Sequence, residues 1–115
     1  MKYYYEGKLI RTSNHVYTHA VIDNNGKCVA CRNGYANAVK AKNAERSDKA
    51  IREANNAINA LKAGRGYYFY KIGSCSYKYT FKENDTIEKY QGVIERANEW
   101  NKKVDSWEIV EIEAK

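Results

Sequence analysis

Residues 67–81 have the sequence YYFYKIGSCSYKYTF, and this stretch decides how the chain folds. Two runs rich in aromatic and β-branched residues flank a central Gly-Ser dipeptide, a pattern typical of a two-residue turn between antiparallel strands. We therefore predict a β-hairpin. Because side chains alternate between the two faces of a strand, Tyr68 and Tyr70 should share one face and their neighbours the other. One aromatic face should then lie outside the core.

The segments at both ends of the chain extend the β-rich pattern. A Glu-Gly turn predicts two short strands within residues 3–11, with a single bent strand as the alternative. Residues 16–22 are rich in β-branched and aromatic residues, and a turn at 23–26 leads to a returning strand at 27–32. The first third of the chain is therefore predicted to be a β-meander. Residues 106–113 predict a final strand.

Two regions are predicted to be helical. Residues 36–63 carry apolar side chains at three- and four-residue spacing, at Ile51, Ala54, Ile58 and Leu61. This region forms either one long helix with a weakly packed first half or two helices broken near Ser47, whose hydroxyl can cap a helix. A further helix should begin at an acidic capping box formed by Asp85 and Glu88 and run to about residue 103. Its apolar face is formed by Ile87, Tyr90, Ile94 and Ala97.

The order of these elements predicts an α+β fold. A mainly antiparallel β-sheet would combine the N-terminal meander, the central Tyr-rich hairpin and the C-terminal strand, with two helices packed on one face. The 115 residues fit a single domain over residues 1–115, and no linker or repeat divides them. No apolar run approaches the ~20 residues that cross a bilayer, so we expect a soluble protein with no membrane partner.

The charge of the chain is unevenly distributed. The net charge is +6, from 20 Lys and Arg against 14 Asp and Glu. Residues 1–46 hold eight basic and three acidic residues, whereas residues 67–115 hold eight basic and nine acidic ones. Such a dipolar distribution can steer one side of the protein toward an anionic partner. The alternative is that the charge only keeps the protein soluble.

A cationic ridge is predicted on the helical region. If residues 36–63 form a continuous helix, four basic side chains fall within about a third of its circumference, away from the apolar stripe. They are Lys42, Arg46, Lys49 and Arg52. Three basic residues of the meander, Arg11, Lys27 and Arg32, extend the ridge if they face the same way. The ridge would bind phosphate or an acidic protein surface; the alternative is a solvated helix face.

The Tyr-rich hairpin supplies the predicted aromatic binding face. The chain has eleven Tyr, and the face consists of Tyr68, Tyr70, Tyr77 and Tyr79. Aromatic rings on strands can stack on nucleobases or receive a partner protein. The alternative is that Tyr replaces the missing Leu in the core. Eleven Tyr are too many for that alternative to explain them all.

Cys28 and Cys31 form a Cys-x-x-Cys motif, a spacing that can hold zinc or form a redox pair. Residues three apart in a strand point to opposite faces, so we expect the two sulfurs to diverge. The Val-Ala between them is poor turn chemistry for a zinc knuckle. We predict that at least one of the two Cys is a small buried hydrophobic residue. We also predict that no metal or other cofactor binds; Cys28 and Cys31 would be the candidate ligands for a metal.

No combination of residues identifies an enzyme. His15 and His19 would lie about 13 Å apart in a strand at ~3.3 Å per residue, too far to share a metal ion. The sequence contains no nucleophile elbow, Walker-type phosphate loop or zinc-protease motif. We predict a protein without catalytic activity. A small enzyme that uses Cys28, Cys31, His15 or His19 is the third-ranked hypothesis.

Three segments of the first third, YEGKLIRTS at 5–13, YTHAVID at 17–23 and GKCVAC at 26–31, carry a resemblance. They resemble the β-meander opening of small orphan proteins from phages and mobile elements of gut bacteria, a group that includes anti-CRISPR and other anti-defence proteins. The resemblance implies a small non-enzymatic inhibitor in the bacterial cytoplasm. The same opening is similar to sheet-type DNA readers such as integrase arm-binding domains. No binding residue carries over.

These observations give two binding hypotheses. The first is an inhibitor that contacts a bacterial defence complex or another protein complex that handles nucleic acid, as the resemblance implies. The second is direct binding of nucleic acid or a nucleotide, with basic side chains on phosphates and the Tyr face on bases. A flat Tyr-rich face is also typical of a homodimer interface. The salt dependence of the binding affinity distinguishes the hypotheses. Binding to phosphates releases counterions and weakens steeply with salt, whereas a packed protein interface depends on salt only modestly.

Overall fold

A computed structural model describes the whole chain, residues 1–115. Every strand pairing in it is antiparallel, and helices accompany the sheets, which confirms the predicted α+β class. In chain order the elements are β1 (Lys2–Tyr5), β2 (Lys8–Thr12), β3 (His19–Ile22), β4 (Cys28–Arg32), α1 (Tyr35–Asn43), α2 (Asp48–Lys62), β5 (Tyr67–Ile72), β6 (Cys75–Thr80), α3 (Ile87–Asp105), β7 (Glu108–Glu111) and β8 (Glu113–Ala114). None of the helices is long and apolar enough to span a membrane.

The chain divides into two compact units. Unit 1 comprises residues 1–46 and 102–115, and unit 2 comprises residues 47–101. Unit 1 holds the strands β1 to β4, β7 and β8 together with α1, and unit 2 holds α2, the β5–β6 hairpin and most of α3. The assignment of residues 1–115 to one domain stays a prediction.

The strands of unit 1 form two sheets, in the orders β2-β1-β8 and β4-β3-β7. The predicted meander is therefore two hairpins in different sheets, and β3 begins at His19 rather than at residue 16. The buried Tyr3 explains the shorter strand. Its hydroxyl donates to the carbonyl oxygen of His15 at 2.7 Å and accepts from the N–H of Tyr17 at 3.0 Å, so a side chain satisfies the backbone that a neighbouring strand would otherwise pair.

The core of unit 1 lies on both faces of β3. Ala20 and Ile22 face a cluster that contains Tyr3 and Cys31. Val21, on the opposite face by strand alternation, packs in a second cluster with Ala30, Ala38, Val104 and Trp107. The C-terminal segment serves both sheets, because β7 pairs with β3 and β8 pairs with β1.

Unit 2 begins with the helix α2, because the region 36–63 is two helices, as one of the two alternatives predicted. Its buried residues Ala54, Ala57, Ile58 and Ala60 recur with the predicted helical spacing. Ser47 stands at the start of α2, but its side chain makes no capping bond. Its N–H instead donates to Oδ1 of Asn101 at 2.7 Å, so a distant side chain satisfies the helix start.

The start of α3 differs from the predicted capping box. The helix begins at Ile87, and Oγ1 of Thr86 accepts from the N–H of Lys89 at 3.2 Å, the bond of an N-cap to the third helical residue. The predicted capping box of Asp85 and Glu88 is therefore wrong, because the N-cap is Thr86, one residue later. The oxygens of Asp85 instead accept hydrogen bonds from Tyr79, Lys82 and the side chain of Lys89.

The turn of the β5–β6 hairpin predicts one effect on stability. Gly73 has a φ of 60°, which L-residues with a Cβ adopt at a cost of roughly 1–2 kcal/mol. A Cβ at this position would meet no atom within 4 Å. Gly73→Ala should therefore lower the free energy of unfolding by about 1–2 kcal/mol through backbone strain alone, measured by urea titration.

Gly66→Ala is the matched control. A Cβ at Gly66 also meets no atom within 4 Å, and Gly66 is not among the positive-φ glycines. This variant should leave the free energy of unfolding nearly unchanged. Equal losses in both variants would contradict the assignment of strain to the turn.

Candidate functional site

The predicted aromatic face of the hairpin exists as one face. In the β5–β6 register Tyr68 is paired with Tyr79 and Tyr70 with Tyr77, so all four side chains lie on the same side of the hairpin. The rings of Tyr70 and Tyr77 stack with centroids 5.6 Å apart and planes inclined at 24°. The side chain of Tyr77 is 45% exposed. Whether this face binds a partner stays a prediction.

The inner half of this face is packed within unit 2. The half-buried Tyr68 lies with its ring centroid 5.5 Å from those of Tyr79 and Phe81, and 6.3 Å from that of Tyr90 on α3. Burial raises the pKa of both Tyr68 and Tyr90. Tyr68 and Tyr79 therefore join the hairpin to α3, and the accessible part of the face is the outer pair, Tyr70 and Tyr77.

Asp85 anchors this packing from the loop between β6 and α3. It is buried, and its carboxylate accepts from the hydroxyl of Tyr79 at 2.7 Å, the N–H of Lys82 at 2.8 Å and Nζ of Lys89 at 2.5 Å. The Lys89 hydrogen bond, with those from Lys82 and Tyr79, holds the pKa of Asp85 well below its ordinary value. In turn, the hydrogen bond to Asp85 raises the pKa of Tyr79. One ionised carboxylate thus fixes the hairpin, the loop and the first turn of α3.

The opposite face of the hairpin is more open. Phe69 is 56% exposed and makes an edge contact with Tyr67 at a centroid distance of 5.6 Å. Nζ of Lys78 lies 4.6 Å from the centroid of the Tyr67 ring, within the range of a cation–π contact. This face combines aromatic and cationic groups that point away from the Asp85 network. Strand alternation predicts Tyr67 and Phe69 on this opposite face, but the predicted binding face consisted of Tyr68, Tyr70, Tyr77 and Tyr79 and did not include them.

A groove runs between strand β5 and the polar side of α2. A cavity of about 310 Å³ is lined by Lys49 and Arg52 of α2 and by Phe69, Tyr70 and Lys71 of β5. A second cavity of about 300 Å³ is lined by Asn59, Arg65 and Tyr67. Asn56 and Phe69 line both cavities, so the two cavities adjoin along α2 and β5 and are treated together as one groove. We call it the α2–β5 groove.

Positive charge dominates the α2–β5 groove. Glu53 is its one acidic residue, and it lies 3.9 Å from Nζ of Lys49, an ion pair between partly exposed side chains that contributes little. The cations in and beside the groove are Lys49, Arg52, Arg65, Lys71 and, on the same face of the hairpin, Lys78. Four lining cations against one carboxylate, with Lys78 on the neighbouring hairpin face, give the groove a positive charge that favours anionic over cationic ligands.

The predicted cationic ridge is divided between the two units. Lys49 and Arg52 line the groove of unit 2, whereas Lys42 and Arg46 belong to unit 1. Nζ of Lys42 donates to the carbonyl oxygens of Asp105 and Trp107, and Arg46 forms an ion pair with Asp105. These two cations serve the C-terminal end of α3, where carbonyl groups lack helical partners.

The predicted extension of the ridge lies in unit 1. The guanidinium of Arg11 is 5.7 Å from the centroid of the Tyr17 ring, and Arg32 donates to the carbonyl oxygen of Cys31 at 2.7 Å. Lys27, at the start of β4, is exposed. Their role as a binding surface stays a prediction.

The two cysteines of the Cys-x-x-Cys motif lie together, which overturns the expectation that their sulfurs diverge. The Sγ atoms of Cys28 and Cys31 are 3.6 Å apart. Ala20 pairs with Cys31 and Ile22 pairs with Cys28, so the register shifts and Val29 is an extra residue, a β-bulge. The bulge cancels one step of the alternation and returns both sulfurs to one face.

The histidines do not complete a site with these thiols. Nδ1 of His19 is 2.7 Å from Oγ1 of Thr18, and the ring of His19 lies 5.8 Å from that of Tyr35. His15 precedes β3, and its ring lies 6.2 Å from that of Tyr17. No three His, Cys, Asp or Glu side chains of the chain converge in a group that could hold a metal ion.

No protein-family model, curated protein or solved structure matches this chain.

The Asp85 network predicts a pH dependence. A carboxyl whose pKa is lowered by folding stabilises the folded protein above its unfolded pKa, near 3.8, and this contribution is lost as the pH falls below that value. Asp85→Asn should lower the melting temperature of the full chain at neutral pH. The melting temperatures of variant and wild type should converge in acid, because the wild type then loses the same interaction.

Glu83→Gln serves as the control for this prediction, since Glu83 is an exposed acid in the same loop. Circular dichroism melts over a pH series would measure all three proteins. A constant difference between Asp85→Asn and wild type at every pH would show that the ionised carboxylate is not what stabilises the loop.

Proposed function

We propose that this chain is a non-catalytic binding protein whose α2–β5 groove holds single-stranded nucleic acid. One observation carries the proposal. The exposed ring of Phe69 and the cations Lys49, Arg52 and Lys71 line the same groove. An exposed aromatic ring of the hairpin and cations of α2 and β5 therefore line one groove.

The chemistry of the groove suits a single strand better than a duplex. Bases of a single strand are free to stack on an exposed aromatic ring, which contributes about 1–3 kcal/mol per base. Phosphates would then lie against the cations on either side of Phe69, with Lys49, Arg52 and Lys71 in one cavity and Arg65 in the other. A base paired inside a duplex presents no open face to Phe69.

Two amide side chains give the groove the means to contact base edges. Asn56 lines both cavities and Asn59 lines the second. A side-chain amide offers both a donor and an acceptor, which matches the mixed pattern on the edges of unpaired bases. Both residues lie on the exposed side of α2, so their amides are free to reach a ligand without disturbing the buried side of the helix.

A second candidate is contact with another protein, and the tip of the hairpin favours it. Ile72 is 57% exposed and Tyr77 is 45% exposed, which leaves an apolar tip beside the stacked tyrosines. Exposed apolar patches are typical of protein interfaces. The resemblance to anti-defence proteins makes a nucleic-acid-handling complex of the bacterial cytoplasm the partner of this second proposal, with a homodimer as its simplest variant.

Substitution of Phe69 tests the groove. Phe69→Ala should weaken binding to a fluorescently labelled single-stranded oligonucleotide about fivefold or more, since one stacked base contributes roughly 1–3 kcal/mol. Fluorescence anisotropy measures the affinity. Tyr35→Ala is the control, because Tyr35 is an equally exposed aromatic residue of unit 1. Equal affinities of wild type and Phe69→Ala would exclude stacking in the groove.

Salt dependence tests the phosphate contacts. Each phosphate neutralised on a single strand adds about 0.7 to the slope of log affinity against log salt. Arg52→Gln should therefore reduce the slope by about 0.7, while Lys40→Gln, an exposed cation of α1, should leave it unchanged. Should the chain bind no oligonucleotide at low salt yet retain a protein from bacterial lysate after nuclease treatment, the second candidate replaces the first.

A further inference from the structure

The bulge of β4 creates a pair of thiols that the proposed function does not use. The Sγ atoms of Cys28 and Cys31 are in van der Waals contact at 3.6 Å, and neither forms a disulfide. A disulfide bond is about 2.05 Å long, so the sulfurs need to approach by about 1.5 Å. That approach requires side-chain rotation and backbone relaxation at the bulge, where the ladder of hydrogen bonds is already interrupted at Val29.

The pair is open to solvent from one side only. Cys28 is partly exposed and lines a surface cleft of about 390 Å³, whereas Cys31 is fully buried in the core of unit 1. Lys8 and Lys27 line the same cleft, and the residues that line it include no acid. A small molecule in the cleft therefore lies beside Cys28 and two lysines, and Cys28 in turn contacts Cys31 of the core.

We propose that Cys28 and Cys31 are a thiol–disulfide exchange site for a small anionic disulfide that enters the cleft. Cys28 is the attacking thiol and Cys31 is the resolving thiol. The two lysines select a negatively charged reagent, because they concentrate anions at the mouth of the cleft. The site lies wholly within unit 1, and its action is independent of the α2–β5 groove.

The exchange proceeds in two balanced steps. The Cys28 thiol loses its proton to solvent, and its sulfur attacks one sulfur of the reagent RSSR, which gives the mixed disulfide Cys28–S–SR and releases RS⁻. The Cys31 thiol then gives up its proton and its sulfur attacks Sγ of Cys28, which releases the second RS⁻. In total the two thiols and RSSR become one protein disulfide and two RSH. The protein is oxidised and the reagent is reduced.

The environments of the two thiols agree with these roles. Burial raises the pKa of Cys31 to about 11, and its contact with Cys28 acts in the same direction. Cys31 is therefore protonated at neutral pH in the reduced protein, which leaves the more exposed Cys28 as the attacking thiol. Cys75 provides an internal comparison, because it is exposed on the hairpin of unit 2 and has no second cysteine beside it.

Mass spectrometry of the full chain tests the proposal with glutathione disulfide as the probe. Trypsin cuts after Lys27 and Arg32, so both thiols fall in the peptide CVACR. We expect this peptide to lose two hydrogen atoms in mass, while Cys75 keeps a glutathione adduct that it cannot resolve. In Cys31→Ala the adduct should instead persist on Cys28, and in Cys28→Ser the peptide should stay unmodified.

Two results would overturn the proposal, and neither requires a variant to fold. One is a wild-type CVACR peptide with both thiols free under conditions that modify Cys75. The other is a wild-type adduct on Cys28 that persists without resolution. A second comparison tests the anion preference. The oxidation rate of CVACR, divided by the rate of modification of Cys75 with the same reagent, should be several-fold higher for glutathione disulfide than for cystamine, a cationic disulfide. Equal relative rates would refute the role of Lys8 and Lys27.

Discussion

Strand alternation is the constraint on which the surfaces of this protein depend. In the β5–β6 hairpin the two-residue period holds without interruption from Tyr67 to Thr80, so one side carries Tyr68 and its partners and the other carries Phe69 and the cations. In β4 the period is interrupted once, at Val29, and that single extra residue brings the two thiols together. Side-chain alternation therefore explains both sites. It is regular in the hairpin of unit 2, which exposes Phe69 beside the groove, and it is interrupted by the bulge in β4 of unit 1, which pairs the thiols.

Unit 2 contains two kinds of charged side chain: those paired within the structure, and those exposed and available to a ligand. Asp85 and Lys89 satisfy each other beside Tyr79, and this buried network holds the hairpin against α3. The cations of the α2–β5 groove have no comparable partner apart from the weak pair of Lys49 with Glu53. An anion that enters the groove thus replaces solvent around exposed cations, with little internal ion pairing to break. The same distinction applies in unit 1, where Lys42 and Arg46 serve the end of α3.

The two units support different chemistry. The proposed binding groove combines a ring, amides and cations, the groups that stack on bases and contact base edges and phosphates. The thiol pair combines one accessible and one buried sulfur, the arrangement that the proposed thiol–disulfide exchange requires. Both sites favour negatively charged ligands, which is consistent with the net charge of +6. A basic chain of this length can therefore carry a macromolecular binding surface and a separate reactive site without sharing residues between them.

The sequence by itself determined the features that depend on near neighbours. The Gly-Ser turn of the hairpin, the faces of β5 and the apolar spacing of α2 follow from backbone preferences and periods of two or 3.6 residues. Only the tertiary structure decided which strands share a sheet, where α2 begins, and that Val29 bulges. Each of these depends on a partner far along the chain: the Tyr3 hydroxyl with residues 15–17, the Ser47 N–H with Asn101, and β4 with the register of β3. The candidate groove belongs to this second class, because a sequence gives the residues of α2 and β5 but not the packing that sets them side by side.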